Sequence, residues 1–84
     1  MMYLMLDVQS TNDIENCSQL NAWVNVNNHA EAMEILHQEL SQEGWALTNI
    51  IESIATDESD YFPPCPSLNA YNQAKQELLA LRFL

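Results

Sequence analysis

The chain has 84 residues, 48% of them hydrophobic, and its twelve Asp and Glu face two cations, Lys75 and Arg82, for a formal charge of −10. This length suits one domain able to bury only about 60–65% of its unfolded surface, and the apolar fraction is too high for a disordered chain. The charge excludes nucleic acid as a partner, because such binding relies on Lys and Arg releasing counterions, and it disfavours anionic membrane surfaces.

Tyr3–Val8 reads as a strand, with Leu4, Leu6 and Val8 on one face and Tyr3, Met5 and Asp7 on the other. Residues 9–19 form a polar loop without glycine. Leu20–Val26 alternates clearly: Leu20, Ala22, Val24 and Val26 point one way, and Asn21, Trp23 and Asn25 the other. Asn28–Trp45 is a helix of about four turns, started by Asn28 with Glu31 in a capping-box-like pair. Gly44, the single glycine, can close it in the left-handed conformation, with Trp45 folding back onto Leu40. Met33, Leu36 and Leu40 make its buried stripe, flanked by Ala30 and Ala32, with Ile35 partly exposed and Glu31, Glu34, Gln38 and Gln42 outward.

Ala46–Ala55 is rich in β-branched residues and reads as a third strand. Its inward residues are either Ile50 and Ile54 or Leu47 and Ile51, and a bulge or burial on both faces would reconcile the two. Thr56–Ser67 is acidic, then aromatic, then proline-rich, and is expected to be irregular. Ser67 can cap a second helix, along which Leu68, Tyr71, Ala74, Leu78 and Leu81 repeat at spacings of three or four. With no glycine to stop it, that helix is expected to reach about Leu81; a short fourth strand in Leu79–Phe83 is the alternative.

The order β-β-α-β-α makes the second strand, the first helix and the third strand a right-handed crossover with parallel strands. The first strand can then lie between them, antiparallel to both. Both helices on one face would give a two-layer α+β sandwich that resembles a reduced ferredoxin-like fold. The run AWVN…AEAMEIL…EGW…IIESI, within Ala22–Ile54, also resembles small bacterial α+β proteins of unassigned function that join a strand, a helix ending in Glu-Gly-Trp and another strand. That resemblance implies a fold and carries no catalytic motif.

Two cysteines are too few for a disulfide scaffold, and Cys17 and Cys65, expected at opposite ends, read as free thiols. Met1–Leu6 is too short for a signal-peptide core and no run approaches the ~20 apolar residues of a membrane span, so the expected setting is the cytoplasm. His29 and His37 lie roughly 12 Å apart along one helix and cannot share a metal ion. No metal or cofactor motif is present, and none is expected to be bound.

Two places remain for function. His29, Cys65, Asp57, Glu58, Asp60 and Tyr61 should share one end of the molecule, where Cys and His could act as nucleophile and base, or the carboxylates could hold a cation weakly. Loop packing is the plainer explanation of Cys65. The other place is the uncovered sheet face, where Tyr3, Met5 and Trp23 point outward with Leu47 and Ile51, or Ile50. Open-sheet aromatics stack bases in RNA-binding sheets, but the charge opposes that use here. Covering of Trp23 by residues 79–84 or by a loop is the plain alternative. The expected function is a non-enzymatic protein-interaction module, with self-association through the open sheet face as its economical form. The alternative is an acidic decoy or inhibitor of a basic partner, such as a toxin or a nucleic-acid-binding protein. A Cys/His enzyme comes third.

Overall fold

A computed structural model describes residues 1–13, 15–61 and 65–84. In chain order the elements are β1 (Met2–Ser10), β2 (Cys17–Val24), α1 (His29–Gln42), β3 (Trp45–Ala55), a 3-10 turn (Glu58–Asp60), α2 (Pro66–Glu77) and β4 (Leu79–Phe83). The fold is α+β: one four-stranded sheet ordered β3-β1-β2-β4, every neighbouring pair antiparallel, with two helices. As the crossover allows, β1 lies between β2 and β3.

The alternation of β1 sends Met2, Leu4, Leu6 and Val8 to one face, where they join Leu20, Ala22 and Val24 of β2. α1 closes this core with Ala32, Leu36 and Leu40, and Met33 is half-buried beside them. The helix start is the one expected. The Asn28 side chain accepts the Glu31 backbone N–H at 2.8 Å and donates its Nδ2 to Glu31 Oε1 at 2.9 Å. At the far end Gly44 has φ +81°, and a Cβ there would meet nothing nearer than 3.8 Å. The backbone angle, not lack of space, calls for glycine.

α2 corrects the two-layer expectation. Its Tyr71 and Ala74 pack with Trp23 and Ala80, which are register partners on β2 and β4. Trp23 alternates with Ala22 and Val24 and therefore faces away from α1. The sheet is thus sandwiched between the two helices, in three layers. The physical reason is Trp23, an aromatic too large to leave open on a sheet face, which α2 covers.

α2 also stops earlier than its spacing suggested. It ends at Glu77, and Leu79–Phe83 forms β4 along β2. The turn between them is made by Leu78, a non-glycine residue at φ 75° and ψ −34°. β4 then splits its side chains, Leu79 and Leu81 toward α1 and Ala80 toward α2. Cys65, not Ser67, occupies the N-cap position, without a side-chain capping bond, and Pro66 opens the first turn. The segment expected to be irregular contains the 3-10 turn, closed by a capping box between Asp57 and Asp60.

Leu78 offers a direct test. Its side chain is exposed, and its carbonyl accepts the Asn25 N–H at 2.8 Å, a bond glycine would keep. Relief of a positive φ in a residue with a Cβ is worth roughly 1–2 kcal/mol, and the extra chain entropy of glycine costs roughly 0.5–1. Leu78→Gly should therefore raise stability by about 0.5–1 kcal/mol in urea unfolding. A loss of stability would show that the turn is not strained.

β3 resolves its ambiguous inward face by being irregular. Its register against β1 shifts between Met5 and Leu6 and again between Asp7 and Val8. Each shift inserts one extra β3 residue, Ile51 and then Thr48. Leu47 and Ile50 consequently share the α1 face, whereas Ile54 sits opposite Tyr3 on the other. The two edge strands meet at one corner, where the Trp45 and Phe83 rings stand 5.5 Å apart. Among the described residues no helix is long and apolar enough to cross a membrane.

Candidate functional site

α2 packs over β2 and β4. The β1 and β3 side of the same face carries half-buried Tyr3 and Met5 and exposed Ile54. Trp23, expected beside them at the surface, is only 1% exposed, and it belongs to the core under α2. Its burial sets up an aromatic ladder. The Tyr3 ring stands 5.1 Å from that of Trp23, the Trp23 indole N–H donates to the Tyr61 hydroxyl at 3.0 Å, and Tyr61 lies 5.5 Å from Tyr71. The ladder ends in a cation. Lys75 Nζ sits 5.9 Å from the Tyr71 ring centre and 3.7 Å from Glu58 Oε2.

A hydrogen-bonded chain runs from the same ladder to the acidic turn. Thr56 Oγ1 lies 2.9 Å from Asp60 Oδ2 and 3.1 Å from the Tyr61 hydroxyl. An ionised carboxylate only accepts, so the single Thr56 proton goes to Asp60 and the Tyr61 proton goes to Thr56. Asp60 Oδ2 also accepts the Asp57 N–H at 2.8 Å. That backbone bond, then the Thr56 bond, holds the Asp60 carboxyl below the usual carboxylate range. Burial, reinforced by Glu52 and Tyr61, pushes the Tyr3 phenol above its ordinary value, and its hydroxyl donates to Asn21 Oδ1 at 3.0 Å. Between Tyr3, Trp23, Ile54, Thr56, Asp60 and Tyr61 lies a cavity of about 410 Å³.

Comparison with protein-family models, curated proteins and solved structures finds no match. Geometry alone therefore speaks for the site.

The other residues singled out from the sequence are divided between layers. His29 Nδ1 lies 2.7 Å from Ser53 Oγ on the α1 side, while Cys65 heads α2 in the opposite layer. Cys17 is exposed, Cys65 is half-buried, and neither forms a disulfide among the described residues. Asp57 accepts the Glu58 N–H at 2.7 Å, so three carboxylates of the acidic segment are committed locally: Asp57 and Asp60 to the turn, Glu58 to Lys75. Among the described residues no three His, Cys, Asp or Glu are grouped to hold a metal ion.

β3 completes the picture. It is an edge strand whose outer side no strand covers among the described residues. Ile50, Ile51 and Ile54 on it are 39%, 45% and 47% exposed, and its one charged residue is Glu52. On the C-terminal side of Ile51, Glu52–Ala55 pairs regularly with Met2–Met5. This regular end leads into the cavity through Ile54, Ala55 and Thr56. Lys75 and Arg82 belong to α2 and β4, so neither cation of the chain is on β3. The sequence named Tyr3, Asp60 and Tyr61 but not Ile54 or Thr56, because the register shifts, which alternation does not reveal, decide that Ile54 and not Glu52 stands opposite Tyr3.

Proposed function

We propose that this protein acts through contact with another polypeptide, accepting an extended segment of a basic partner along the outer edge of β3. The observation that carries the reading is an isoleucine-bearing edge strand without Lys or Pro, on whose outer side no strand pairs among the described residues. Such edges expose unpaired N–H and C=O groups and template strand addition unless they are guarded. Tyr3 and Met5 flank the edge on the face left open beside α2. Charge selects the partner: a chain at −10 attracts a basic segment, and a second copy presented edge to edge brings two acidic surfaces together. The interaction-module and basic-partner expectations thus merge, and self-association becomes the weaker form. The β2-α1-β3 unit with β1 between its strands fits the split β-α-β arrangement of ferredoxin-like folds, read here with α2 moved to the other face. A cytoplasmic setting, where both thiols stay reduced, fits this use.

The probe is a short peptide of alternating Lys and Val, titrated while backbone amide shifts are followed by NMR. The expected shifts map to residues 50–55, the affinity falls steeply with added salt, and N-methylating alternate peptide amides in the edge-facing phase abolishes binding. Shifts confined to the acidic face of α1, indifferent to N-methylation, would reduce the interaction to diffuse charge attraction and overturn the reading. Light scattering should find a monomer at all concentrations. A salt-insensitive dimer would give the β3 edge to a second copy instead.

A further inference from the structure

We propose that the cavity between Tyr3, Ile54, Asp60 and Tyr61 seats the cationic side chain, Lys or Arg, of the segment that pairs with β3. The inference rests on the edge-pairing reading above and names the residue type that anchors it. The ladder already shows what it does with a cation. At its α2 end, the Tyr71 ring and the Glu58 carboxylate hold Lys75 between them. At its other end the same pair of features recurs, aromatic rings and a carboxylate around an opening, and neither Lys75 nor Arg82 lines it.

Each wall suits such a guest. Tyr3 and Tyr61 are half-buried, so they keep exposed ring surface against which an ammonium or guanidinium can rest. Ile54 and Ala55 give the apolar contact that the methylene stem of Lys or Arg covers. Asp60 is fixed by its bonds from Thr56 and Asp57, both of which fall on Oδ2; Oδ1 takes neither. A volume of about 410 Å³ is in the range of small-ligand clefts and ample for one long side chain. Position agrees as well. A partner residue paired beside Ile54 on the regular end of β3 projects to the same face as Ile54, toward Tyr3 and Tyr61.

The test uses n-butylammonium and ethylguanidinium as isolated side chains, n-butanol as the uncharged control, and the Trp23 indole N–H as the NMR reporter. Both cations should shift that signal to saturation and butanol should not. Asp60→Asn keeps an acceptor for Thr56 and Asp57, and Tyr3→Leu keeps apolar bulk; each should weaken cation binding about tenfold. Tyr3→Phe, which retains the ring, should weaken binding far less than Tyr3→Leu. Ile54→Lys, by supplying a cation from the chain itself, should abolish it. In the Lys-Val peptide, replacing the Lys that lies beside Ile54 with norleucine should cost about tenfold, whereas the same change at the other Lys positions costs less. Absence of saturation by either cation, with the peptide still shifting residues 50–55, would overturn the cavity and leave the edge-pairing reading intact. Saturation by the free cations with no peptide effect on β3 would overturn the side-chain occupant and the polypeptide reading together.

Discussion

Trp23→Ala should destabilise the protein by about 3–5 kcal/mol, the usual cost of emptying a buried aromatic site. A domain of 84 residues has roughly 4–12 kcal/mol in total, so the change consumes much of the margin. The loss is concentrated because the core under α2 is small. Its buried members are Trp23, Tyr71, Ala74 and Ala80, and Trp23 is the largest. Removing it leaves Tyr3 without its ring partner and Tyr61 without its indole donor. α2 should therefore loosen first, and native-state hydrogen exchange should show its amides losing protection before those of β1. Trp23→Phe separates the contributions: it keeps most of the packing, loses the indole N–H bond, and should cost about 1–2 kcal/mol. A cost below about 1 kcal/mol for Trp23→Ala would show that α2 is held by something other than this cluster.

Leu36→Ala should cost about 2–5 kcal/mol, and by a different route. Leu36 is completely buried on the other side of the sheet, in the core formed with Leu4, Leu6 and Leu20. All four strands contribute buried or half-buried side chains there, so the walls of the resulting void cannot collapse easily. The effect should be global, lowering protection in α1 and the sheet together, in contrast to the local release expected for Trp23→Ala. Leu36→Met, nearly equal in volume, should stay below about 1.5 kcal/mol. Equal exchange behaviour for the two alanine variants would mean that the layers unfold as one unit.

The two cores differ in how plainly they could be read. Everything on the α1 side is carried by unbroken alternation in β1 and β2 and by one helix whose cap, stripe and glycine stop agree. The placement of α2 rested on a weaker signal: its buried contribution is only Tyr71 and Ala74, too narrow a stripe to say which face it covers. The better clue lay on β2, since a tryptophan pointing away from α1 demands a cover of its own. β4 was obscured because Leu78 and Leu81 also fit a helical repeat, and because the residue that breaks the helix is a leucine in a conformation normally reserved for glycine. The cavity was half legible. Tyr3, Asp60 and Tyr61 stood out by chemistry, but two inserted residues move the register by two positions, so that Ile54 and not Glu52 stands opposite Tyr3.

Those inserted residues limit how large an assembly β3 can support. An isoleucine-rich edge that pairs with another strand creates a fresh edge, and repetition of that step is how fibrils elongate. Stacking of that kind needs a flat run of about six or seven residues, and β3 is interrupted at Ile51 and at Thr48. What remains straight is Glu52–Ala55, with a carboxylate at its start. A strand laid there is held over one short stretch and offers little for the next to copy. If a partner strand does pair with β3 as proposed, growth should stop at that first addition.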